Sequence, residues 1–431
     1  MSGGSHSASA RAVTPVVVST GRNGGGGGAG RMSATLAGEV TPQRVSVTVV
    51  ATMKVLLLCW RDSRHPEGGG SEVYLERVAE YLASPAGGRH DVTFRTARYP
   101  GSAPVEHRNG VTYVRGGGPL TVYPRAWLAM LRRRFDVIVD TQNGVPFFAR
   151  VFGRGRAGRG CGVPVVLLTH HCHRDQWPVA GPVLSRVGWF AESRLSPRIH
   201  RHTPYVTVSA PSADDLVCLG VDRDRITIIR NGVDAPPELP QDAGDAVPSG
   251  GVHLVTLSRL TPYKQIEHAL HALAVVLPDH PGTVLDIIGD GWWSENLRRC
   301  AEDLGVTDNV VFHGHVTEEI KHRLLAGAAV HLMPSAKEGW GLAVVEAGLH
   351  GVPTIGYSSS DGLRDSVVDG QTGLLVDSEG GLITALAGLL DDPERRRELG
   401  DAARERSRNF SWDLTGESWK SLLKRIHRPR R

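Results

Sequence analysis

Short apolar runs alternate with amphipathic segments along nearly the whole chain after its glycine-rich beginning. Most runs are rich in β-branched residues, as strands buried on both faces are. The segments between these runs have apolar residues at helical spacing. In residues 71 to 82, for example, four apolar side chains share one face: Leu75, Val78, Ala79 and Leu82. The alternation predicts parallel sheets covered by helices on both sides. The predicted strands are KVLLLCW, DVTFRTA, VTYVRG, DVIVDT, PVVLLTH, YVTVSA and ITIIRNG, then VHLVTLSR, TVLDIIGDG, NVVFHGH, AVHLMPS and VPTIGYS.

The strand pattern is interrupted once, by APPELPQDAGDAVPSGG at 235–251. Proline, glycine and acidic residues crowd there without periodicity, which predicts a linker. The chain is therefore predicted to form two Rossmann-like, doubly wound α/β domains, 53–234 and 252–410, that face each other across a cleft. The last residues, 411–431, are expected to form a helix that crosses back to the first domain. Ligands of such sheets bind at the carboxyl ends of the strands, so functional residues are sought there.

The first 52 residues differ from the rest. They contain GRNGGGGGAG among serine, alanine and threonine, a composition that cannot build a core. Met53 then opens the strand MKVLLLCW. We expect the functional chain to start at Met53 and residues 1–52 to be a disordered leader or a start-site artefact.

Composition narrows the class of protein. Hydrophobic residues make up 40% and charged residues 22%, which is typical of a globular chain. A net charge of +4, without a basic and aromatic stripe, gives no support for nucleic-acid binding. Five scattered cysteines without a CxxC motif predict reduced thiols. The apolar run 45–60 is interrupted by Lys54 and is short of the ~20 residues that cross a bilayer. The sequence therefore predicts a cytoplasmic protein.

A glycine triplet follows the first strand. In GGGSE, three glycines precede Ser71, which is expected to cap the next helix, with Glu72 in its first turn. Glycines allow close backbone approach, and a helix start offers free N–H groups to an anion. The stretch fits a phosphate or sugar contact and, equally, a tight turn before a capped helix.

Two cations follow the first strand of the second series. In SRLTPYK, Arg259 and Lys264 lie in the turn that leads into a helix. Two positive charges beside a helix N-terminus suit a diphosphate. A solvated basic turn is the alternative, but the position at a strand end favours the anion.

Two glutamates flank a helix start in PSAKEGWGLAVVEAGLHGVPTIG. Glu338 falls in the loop and Glu346 in the helix, about 12 Å apart if the span were helical. The two carboxyl groups of a glycosidase lie ~5–9.5 Å apart, so a glycosidase pair is disfavoured. The glutamates are expected to contact opposite ends of one long ligand, with the amides of residues 339–342 between them. A nucleotide-sugar fits; the alternative is a capping carboxylate plus a solvated glutamate.

Histidines crowd the end of another strand, in LLTHHCHRDQW. Neighbouring strand residues point to opposite faces, so at most two of His170, His171 and His173 converge. A histidine donating to a substrate oxygen is therefore favoured over zinc, with simple packing left open. The DRD triplet at 222–224 precedes a strand and is discounted. No metal site is predicted.

Two segments of the first half were considered for acceptor or membrane contact. YPRAWLAMLRRRF fits a basic amphipathic face, but a buried helix with a solvated basic end is favoured. WPVAGPVLSRVGWFAESRLSPRIHRH could shape an acceptor pocket, touch a membrane or pack in the core.

Together these motifs resemble family 4 of the glycosyltransferases, which have the GT-B fold. EGWGLAVVE resembles the family's E-x7-E element, SRLTPYK its arginine–lysine diphosphate site and GGGSE its glycine loop; DIIGDG, VVFHGHV and RNGVD resemble further segments. The resemblance covers about residues 53 to 425. It implies transfer of a sugar, with retention, from a nucleoside-diphosphate sugar such as a UDP- or GDP-linked donor. It implies no metal or other cofactor, and proton transfer to the departing phosphate.

The resemblance also implies roles for individual residues. Arg259 and Lys264 would neutralise the diphosphate, Glu338 would contact the donor sugar, and His171 would lie beside it. Glu346 would hold the ribose. The other residues implied at the donor are Gly69, Gly70, Gly314, His315, Gly339, Trp340, Gly341 and Leu342, with Gly314 and His315 at the base. One departure is Gln265, where many members have glycine after the lysine.

The prediction is a retaining glycosyltransferase that acts on a glycolipid or glycan precursor of the cell envelope or on a small metabolite. Peripheral contact with the inner face of the membrane is considered, and the oligomeric state is left open. The alternatives are another enzyme of the same fold, such as a nucleotide-sugar epimerase or a glycogen or sucrose synthase, and a sugar-nucleotide-binding protein without turnover.

Overall fold

The computed structural model describes residues 52–153, 162–172, 181–237 and 251–427. The leader, His173 and most of the predicted linker lie outside these residues. Throughout the part of the chain that is described, every helix is too short or too polar to cross a bilayer.

The first half forms an eight-stranded sheet. Its strands are β1 (Lys54–Leu58), β2 (Asp91–Thr96), β3 (Val105–Arg108), β4 (Val111–Arg115), β5 (Val137–Thr141), β6 (Val165–Leu168), β7 (Tyr205–Thr207) and β8 (Ile226–Ile228). They are ordered β3-β4-β2-β1-β5-β6-β7-β8, and only β3 runs antiparallel to its neighbour. The helices of this half are α1 (Gly70–Ala83), α2 (Val122–Arg132), α3 (Ala149–Phe152), α4 (Pro182–Phe190), α5 (Ser196–Ile199) and α6 (Ala210–Cys218), with a π-helical turn joining α4 to α5.

The second half forms a six-stranded parallel sheet. Its strands are β9 (His253–Leu257), β10 (Val284–Ile288), β11 (Val310–Gly314), β12 (Val330–Met333), β13 (Thr354–Tyr357) and β14 (Gly373–Val376). Their order, β11-β10-β9-β12-β13-β14, is that of a Rossmann sheet. The helices are α7 (Ile266–Val276), α8 (Ser294–Asp303), α9 (Glu318–Gly327), α10 (Leu342–Leu349), α11 (Asp361–Ser366), α12 (Glu379–Asp391), α13 (Pro393–Ser407) and α14 (Trp412–His427).

The predicted fold class is confirmed. Every predicted strand is present, and β3 and β14 are two that the sequence did not reveal. In α1, the four apolar positions picked out by helical spacing are all buried, because this face packs on the sheet. Helix α2 buries Val122, Ala126 and Met130 and leaves its arginine-rich end exposed, which agrees with the favoured interpretation of that segment.

The last helix, α14, packs against α1 of the first half although it follows the second sheet in sequence. The indole Nε1 of Trp419 donates to the Tyr74 hydroxyl at 2.7 Å, and that hydroxyl donates to the Ile229 carbonyl at 3.0 Å. Gly416 permits the close approach, since a Cβ at this position would lie 2.1 Å from the Tyr81 ring. The core of the first half is thus completed by the end of the chain.

Candidate active site

A cleft of about 860 Å³ lies where strands of both sheets end. Its walls carry segments that follow β1, β6, β9 and β12, as expected for ligand sites of doubly wound sheets. The predicted site residues that line it are Gly69, Gly70, His171, Arg259, Lys264, Glu338, Gly339, Trp340, Gly341, Leu342 and Glu346. Residues that are far apart in sequence therefore line one cavity, as their positions at the ends of strands predicted.

The glycine turn is stabilised by a side chain of the helix that follows it. The prediction that Ser71 caps α1 is wrong: the helix begins at Gly70 with Gly69 as N-cap. The buried carboxylate of Glu72 accepts from the Gly69 N–H at 2.9 Å and from the Ser71 hydroxyl at 2.8 Å, so the capping oxygen comes from Glu72, the third helical residue, and not from Ser71. Gly68 has no room for a side chain, since a Cβ would lie 2.7 Å from the Ser63 carbonyl oxygen.

Arg61 is a cleft residue that the sequence analysis missed. Its Nε donates to Glu72 at 2.9 Å, and its guanidinium stacks 4.5 Å from the centre of the Trp60 ring. The amide of Asn143 also donates to Glu72, at 3.3 Å. The signal was a cation just after a strand, in CWRD, which is the same signal that identified Arg259.

Lys264 and Glu338 form an ion pair, in which the ammonium donates to Oε1. Both side chains are nearly buried. The sequence analysis assigned these residues to different parts of the ligand and did not foresee that they contact each other. Lys264 ends a single 3₁₀ turn, and Gln265 follows with a φ of 50°. That left-handed conformation favours glycine, the residue that many family members have at this position. In this chain Gln265 adopts the same conformation with a side chain.

Arg259 reaches from the second half toward the first. One terminal nitrogen lies 3.4 Å from the carbonyl oxygen of Gly68. A Cβ at Gly69 would lie 3.9 Å from the same nitrogen. Arg259 is exposed to the cleft, so its guanidinium is accessible to an anion there.

The second glutamate is paired as well. Glu346, within α10, accepts from the ammonium of Lys321 at 2.6 Å, and Lys321 also lies 2.7 Å from Glu318. Burial raises the pKa of Glu346, and the charge of Lys321 opposes the shift. Burial would lower the pKa of Lys321, but Glu346 and Glu318 raise it overall. Lys321 comes from α9, and no motif in the sequence pointed to it.

The loop before α10 is shaped by glycine and by a buried indole. Gly341 adopts a φ of 84° as the N-cap of α10. Trp340 is only 2% exposed and packs edge-on against Phe410, with ring centres 4.8 Å apart. Its side chain belongs to the core cluster of the first half, which also includes Val208. The indole of Trp340 therefore serves packing between the halves, although the residue lines the cleft.

His170 and His171 both line the cleft, and they differ in how deeply their rings are buried. The Nδ1 of His171 lies 4.0 Å from the position of a Cβ on Gly339, so this ring faces the loop of the opposite half. The His170 ring is buried edge-on against Tyr74, with centres 5.0 Å apart. His173 lies outside the described residues. Within the described ranges, no three His, Cys, Asp or Glu side chains are arranged to hold a metal ion.

Gly314 and His315 lie at the end of β11 and do not line the cleft. The Gly314 carbonyl accepts from the Gly289 N–H at 2.9 Å, and His315 is exposed. Their predicted contact with the base stays a prediction.

Two family models match the chain. The model described as Glycosyltransferase Family 4 matches residues 68–235, and the model described as Glycosyl transferases group 1 matches residues 243–406. Together they include every strand of both sheets except β1.

Curated relatives point the same way. A D-inositol 3-phosphate glycosyltransferase of Acidothermus cellulolyticus is 30% identical, over 88% of this chain and 89% of the relative. A GDP-mannose-dependent alpha-(1-6)-phosphatidylinositol monomannoside mannosyltransferase of Mycolicibacterium smegmatis is 29% identical, over 83% and 95%. An exopolysaccharide phosphotransferase of Streptomyces coelicolor is 32% identical over 86% of this chain, which spans only 40% of that protein.

Solved structures share the fold. A sucrose-phosphate synthase from Thermosynechococcus elongatus superposes with a TM-score of 0.70 at 20% identity, over 86% of this chain and 98% of the other. HepE from Anabaena, solved with UDP and glucose, gives 0.67 at 18%, over 86% and 100%. Two Rossmann-like sheets with the cleft between them define a glycosyltransferase of the GT-B type. The chain belongs to glycosyltransferase family 4.

Proposed function

We propose that this glycosyltransferase moves a hexose from a nucleoside-diphosphate sugar to an acceptor hydroxyl, with retention and without a metal ion. The observation that carries the proposal is the convergence of two cations, Arg259 and Lys264, with the N-terminus of α10 in one cleft. A glutamate lies on each side of that helix start. This arrangement suits an elongated ligand with hydroxyl groups at its ends and phosphates in the middle.

The chemistry needs little beyond charge and position. The diphosphate of the donor is already a good leaving group, so the protein must stabilise its developing charge and orient the acceptor. Arg259 and Lys264 supply the positive charge, and the amides after Gly339 supply N–H donors. His171 would donate to a sugar hydroxyl. The departing phosphate takes the acceptor proton on the same face of the sugar, and closure of the halves excludes water.

Donor binding has to rearrange the Lys264–Glu338 pair. In the proposed complex the Lys264 ammonium turns to the phosphate, and the Glu338 carboxylate accepts from a sugar hydroxyl. The exchange leaves neither buried charge unpaired, which keeps the desolvation of both groups tolerable. Glu346 stays paired with Lys321 and accepts from the ribose.

The acceptor binds on the side of the first half. The relatives from Acidothermus cellulolyticus and Mycolicibacterium smegmatis, which this chain matches over most of their length, are named for an inositol phosphate and for a phosphatidylinositol mannoside. We therefore place the acceptor of this chain among phosphorylated small molecules and lipid-linked glycans. A synthase that extends a polymer and a binding protein without turnover are the rival functions.

For membrane contact we propose the outer face of α4. Val183, Val187 and Phe190 recur at helical spacing and are 70%, 61% and 59% exposed. Arg186 and Arg194 are exposed beside them. An apolar stripe flanked by arginines suits the surface of an anionic membrane. The described cysteines are free thiols, which fits the cytoplasmic side.

A vesicle assay tests this surface. Val187→Asp combined with Phe190→Asp should abolish cosedimentation with vesicles that contain phosphatidylglycerol. Val275→Asp, an exposed apolar site on α7, is the control and should not change it. If the α4 double variant and Val275→Asp bind the vesicles equally well, α4 is not the membrane contact.

A donor screen tests the proposed function. Thermal unfolding is followed with UDP-, GDP- and ADP-linked glucose and mannose; a donor at a hundred times its Kd should add about 2.7 kcal/mol of stability. The product is then analysed for anomeric configuration with inositol phosphate and phosphatidylinositol as acceptors. Arg259→Gln should abolish the stabilisation, and Arg408→Gln, which changes an exposed arginine just after α13 that does not line the cleft, should retain it. Absence of stabilisation by every donor would refute the site, and binding without transfer would favour the binding protein.

A further inference from the structure

A second group of arginines lies outside the cleft, beneath α2. A cavity of about 560 Å³ separates this helix from the exposed face of β2 and β4. Arg95 lies in its floor, and Arg125, Arg132 and Arg133 lie in its helical wall. The remaining lining residues are uncharged: Leu56, Thr93, Val114, Leu128, Ala129 and Phe135. The cavity thus concentrates positive charge without a carboxylate.

The register of the sheet explains why Arg95 is there. In β2 the buried residues alternate with partly exposed ones, so Val92, Phe94 and Thr96 point into the core beneath α1. Arg95 therefore points to the other face, where α2 covers β1 and leaves β2 partly open. The side chain of Arg95 is partly exposed and lines this cavity.

The charge of Arg95 is not compensated by the protein. Its Nε is buried and has no hydrogen-bond partner among the described residues. Among the described residues, no carboxylate forms an ion pair with Arg95, Arg125, Arg132 or Arg133, whereas arginines elsewhere on the same sheet, such as Arg108 and Arg115, are paired with glutamate or aspartate. Asp91 is the carboxylate of the neighbouring cavity, and it lies 3.8 Å from the Lys54 ammonium. Burial, followed by the charges of Arg133 and Arg125, lowers the pKa of Arg95.

The arginines are also close enough to share one ligand. A Cβ on Gly116 would lie 3.5 Å from a terminal nitrogen of Arg125 and 4.0 Å from a terminal nitrogen of Arg95. Both guanidinium groups therefore border the same glycine, and both residues line the cavity. Guanidinium pairs of this kind match the oxygen atoms of a phosphate, and they remain protonated at any physiological pH.

We propose that the cavity between α2 and the β2–β4 face is a second anion site, which binds a phosphate ester through Arg95 and Arg125, with Arg132 and Arg133 at its edge. It is separate from the donor cleft and does not depend on the proposed function. The ligand is a phosphate group with an organic substituent that fills the uncharged part of the cavity. Such a group occurs on a soluble sugar or polyol phosphate and on a phospholipid headgroup.

The test uses the full chain and two probes. Calorimetry measures the affinity for glycerol 3-phosphate, and cosedimentation measures binding to phosphatidylcholine vesicles with and without phosphatidylglycerol. Arg95→Gln combined with Arg125→Gln is compared with Arg397→Gln combined with Arg408→Gln, which removes the same charge from exposed positions on α13 and just beyond it. The first pair should weaken phosphate binding at least about tenfold, because each charge-assisted hydrogen bond contributes roughly that factor. The second pair should not.

The outcomes separate the sources of the phosphate. Loss of glycerol 3-phosphate binding alone identifies a soluble ligand, and loss of vesicle binding alone identifies a lipid headgroup. Identical behaviour of the two double variants with both probes would overturn the site. So would loss of binding on Arg259→Gln only, which would place the phosphate in the cleft.

Folding is controlled independently. Without phosphate, the Arg95→Gln/Arg125→Gln protein should melt at the wild-type temperature or above, because the substitutions remove like-charge repulsion. Arg125→Gln alone changes an exposed residue and should show a smaller loss of affinity in the same direction. No loss in this folded single variant, together with an unfolded double variant, would count against the proposal.

Discussion

The ammonium of Lys264 and the carboxylate of Glu338 neutralise each other in the cleft, although the two residues are 74 positions apart in sequence. Each side chain is nearly buried, so either charge alone would be strongly desolvated. The pair therefore leaves neither of the two nearly buried charges without a partner.

Lys264→Ala should lower turnover by a factor of about 10²–10³, as the loss of one group that stabilises transition-state charge does. The affinity for the free nucleoside should fall far less, because the proposed complex has the ammonium on the diphosphate and not on the nucleoside. Steady-state kinetics and calorimetry measure the two effects. Equal losses in both would argue against stabilisation of the transition state.

The same substitution leaves Glu338 buried without its partner and should destabilise the fold by roughly 3 kcal/mol. Adding Glu338→Gln removes the uncompensated charge and should recover most of that loss without restoring turnover. Denaturant titration of the single and double variants measures the recovery. A double variant no more stable than Lys264→Ala would show that the pair is not the source of the loss.

Gln265→Gly should stabilise the protein by about 1 kcal/mol. Gln265 has a φ of 50°, a region where a side chain is strained and glycine is not. Gln265→Ala is the matched control, because it removes the side chain beyond Cβ and keeps the strain. Chemical denaturation should show the glycine variant to be more stable than the wild type and the alanine variant. An equal gain in stability in the alanine variant would exclude backbone strain as the cause of the gain.

His350 should make the protein less stable in mild acid. Burial, assisted by neighbouring His322 and Arg404, lowers its pKa to about 4. The unfolded chain takes up a proton near pH 6.5 and the folded chain does not, so the free energy of unfolding falls as the pH drops from about 6.5 to 4.

His350→Gln keeps a group that can hydrogen-bond the Nδ1 of His322, which lies 2.8 Å away. It should reduce the slope of stability against pH by up to about 1.4 kcal/mol per pH unit. Urea denaturation at a series of pH values measures the slope. An unaltered slope in His350→Gln would mean that this histidine is protonated in the folded state too.

Gly416→Ala should destabilise the protein by about 1–3 kcal/mol through overpacking. The added methyl group would meet the Tyr81 ring at 2.1 Å, so α14 must move away from α1. Gly388→Ala on α12 is the control, since no atom lies within 4 Å of the position of its Cβ. Thermal unfolding should separate the two, with the control at or above the wild-type temperature.

Much of the fold could be predicted because a strand that is buried on both faces of its sheet appears in the sequence as a continuous apolar run. The two strands that were missed show the limit of that signal. β3 is the edge strand VEHR, which has few apolar residues, and β14 is short and opens on a glycine. Neither carries the β-branched run on which the prediction of strands depended.

Positions in the cleft could also be predicted, whereas contacts between side chains could not. The ends of strands identify Arg259 and Lys264, since chain position alone decides which residues lie there. The partners of Glu338 and Glu346 depend on how α9 and the turn before α7 pack, and sequence spacing contains no such information. The packing role of Trp340 was missed for the same reason: Phe410, its neighbour, is 70 positions away in sequence.

The return of the chain in α14 has a mechanical consequence. The segment at Val233, near the end of the first half, lies beside the segment that enters α14: Val233 forms a β-bridge with Ser411, and its N–H donates to the Phe410 carbonyl at 3.1 Å. Two segments that are bonded to each other cannot be displaced independently. Any movement of one half relative to the other should therefore carry both segments along together.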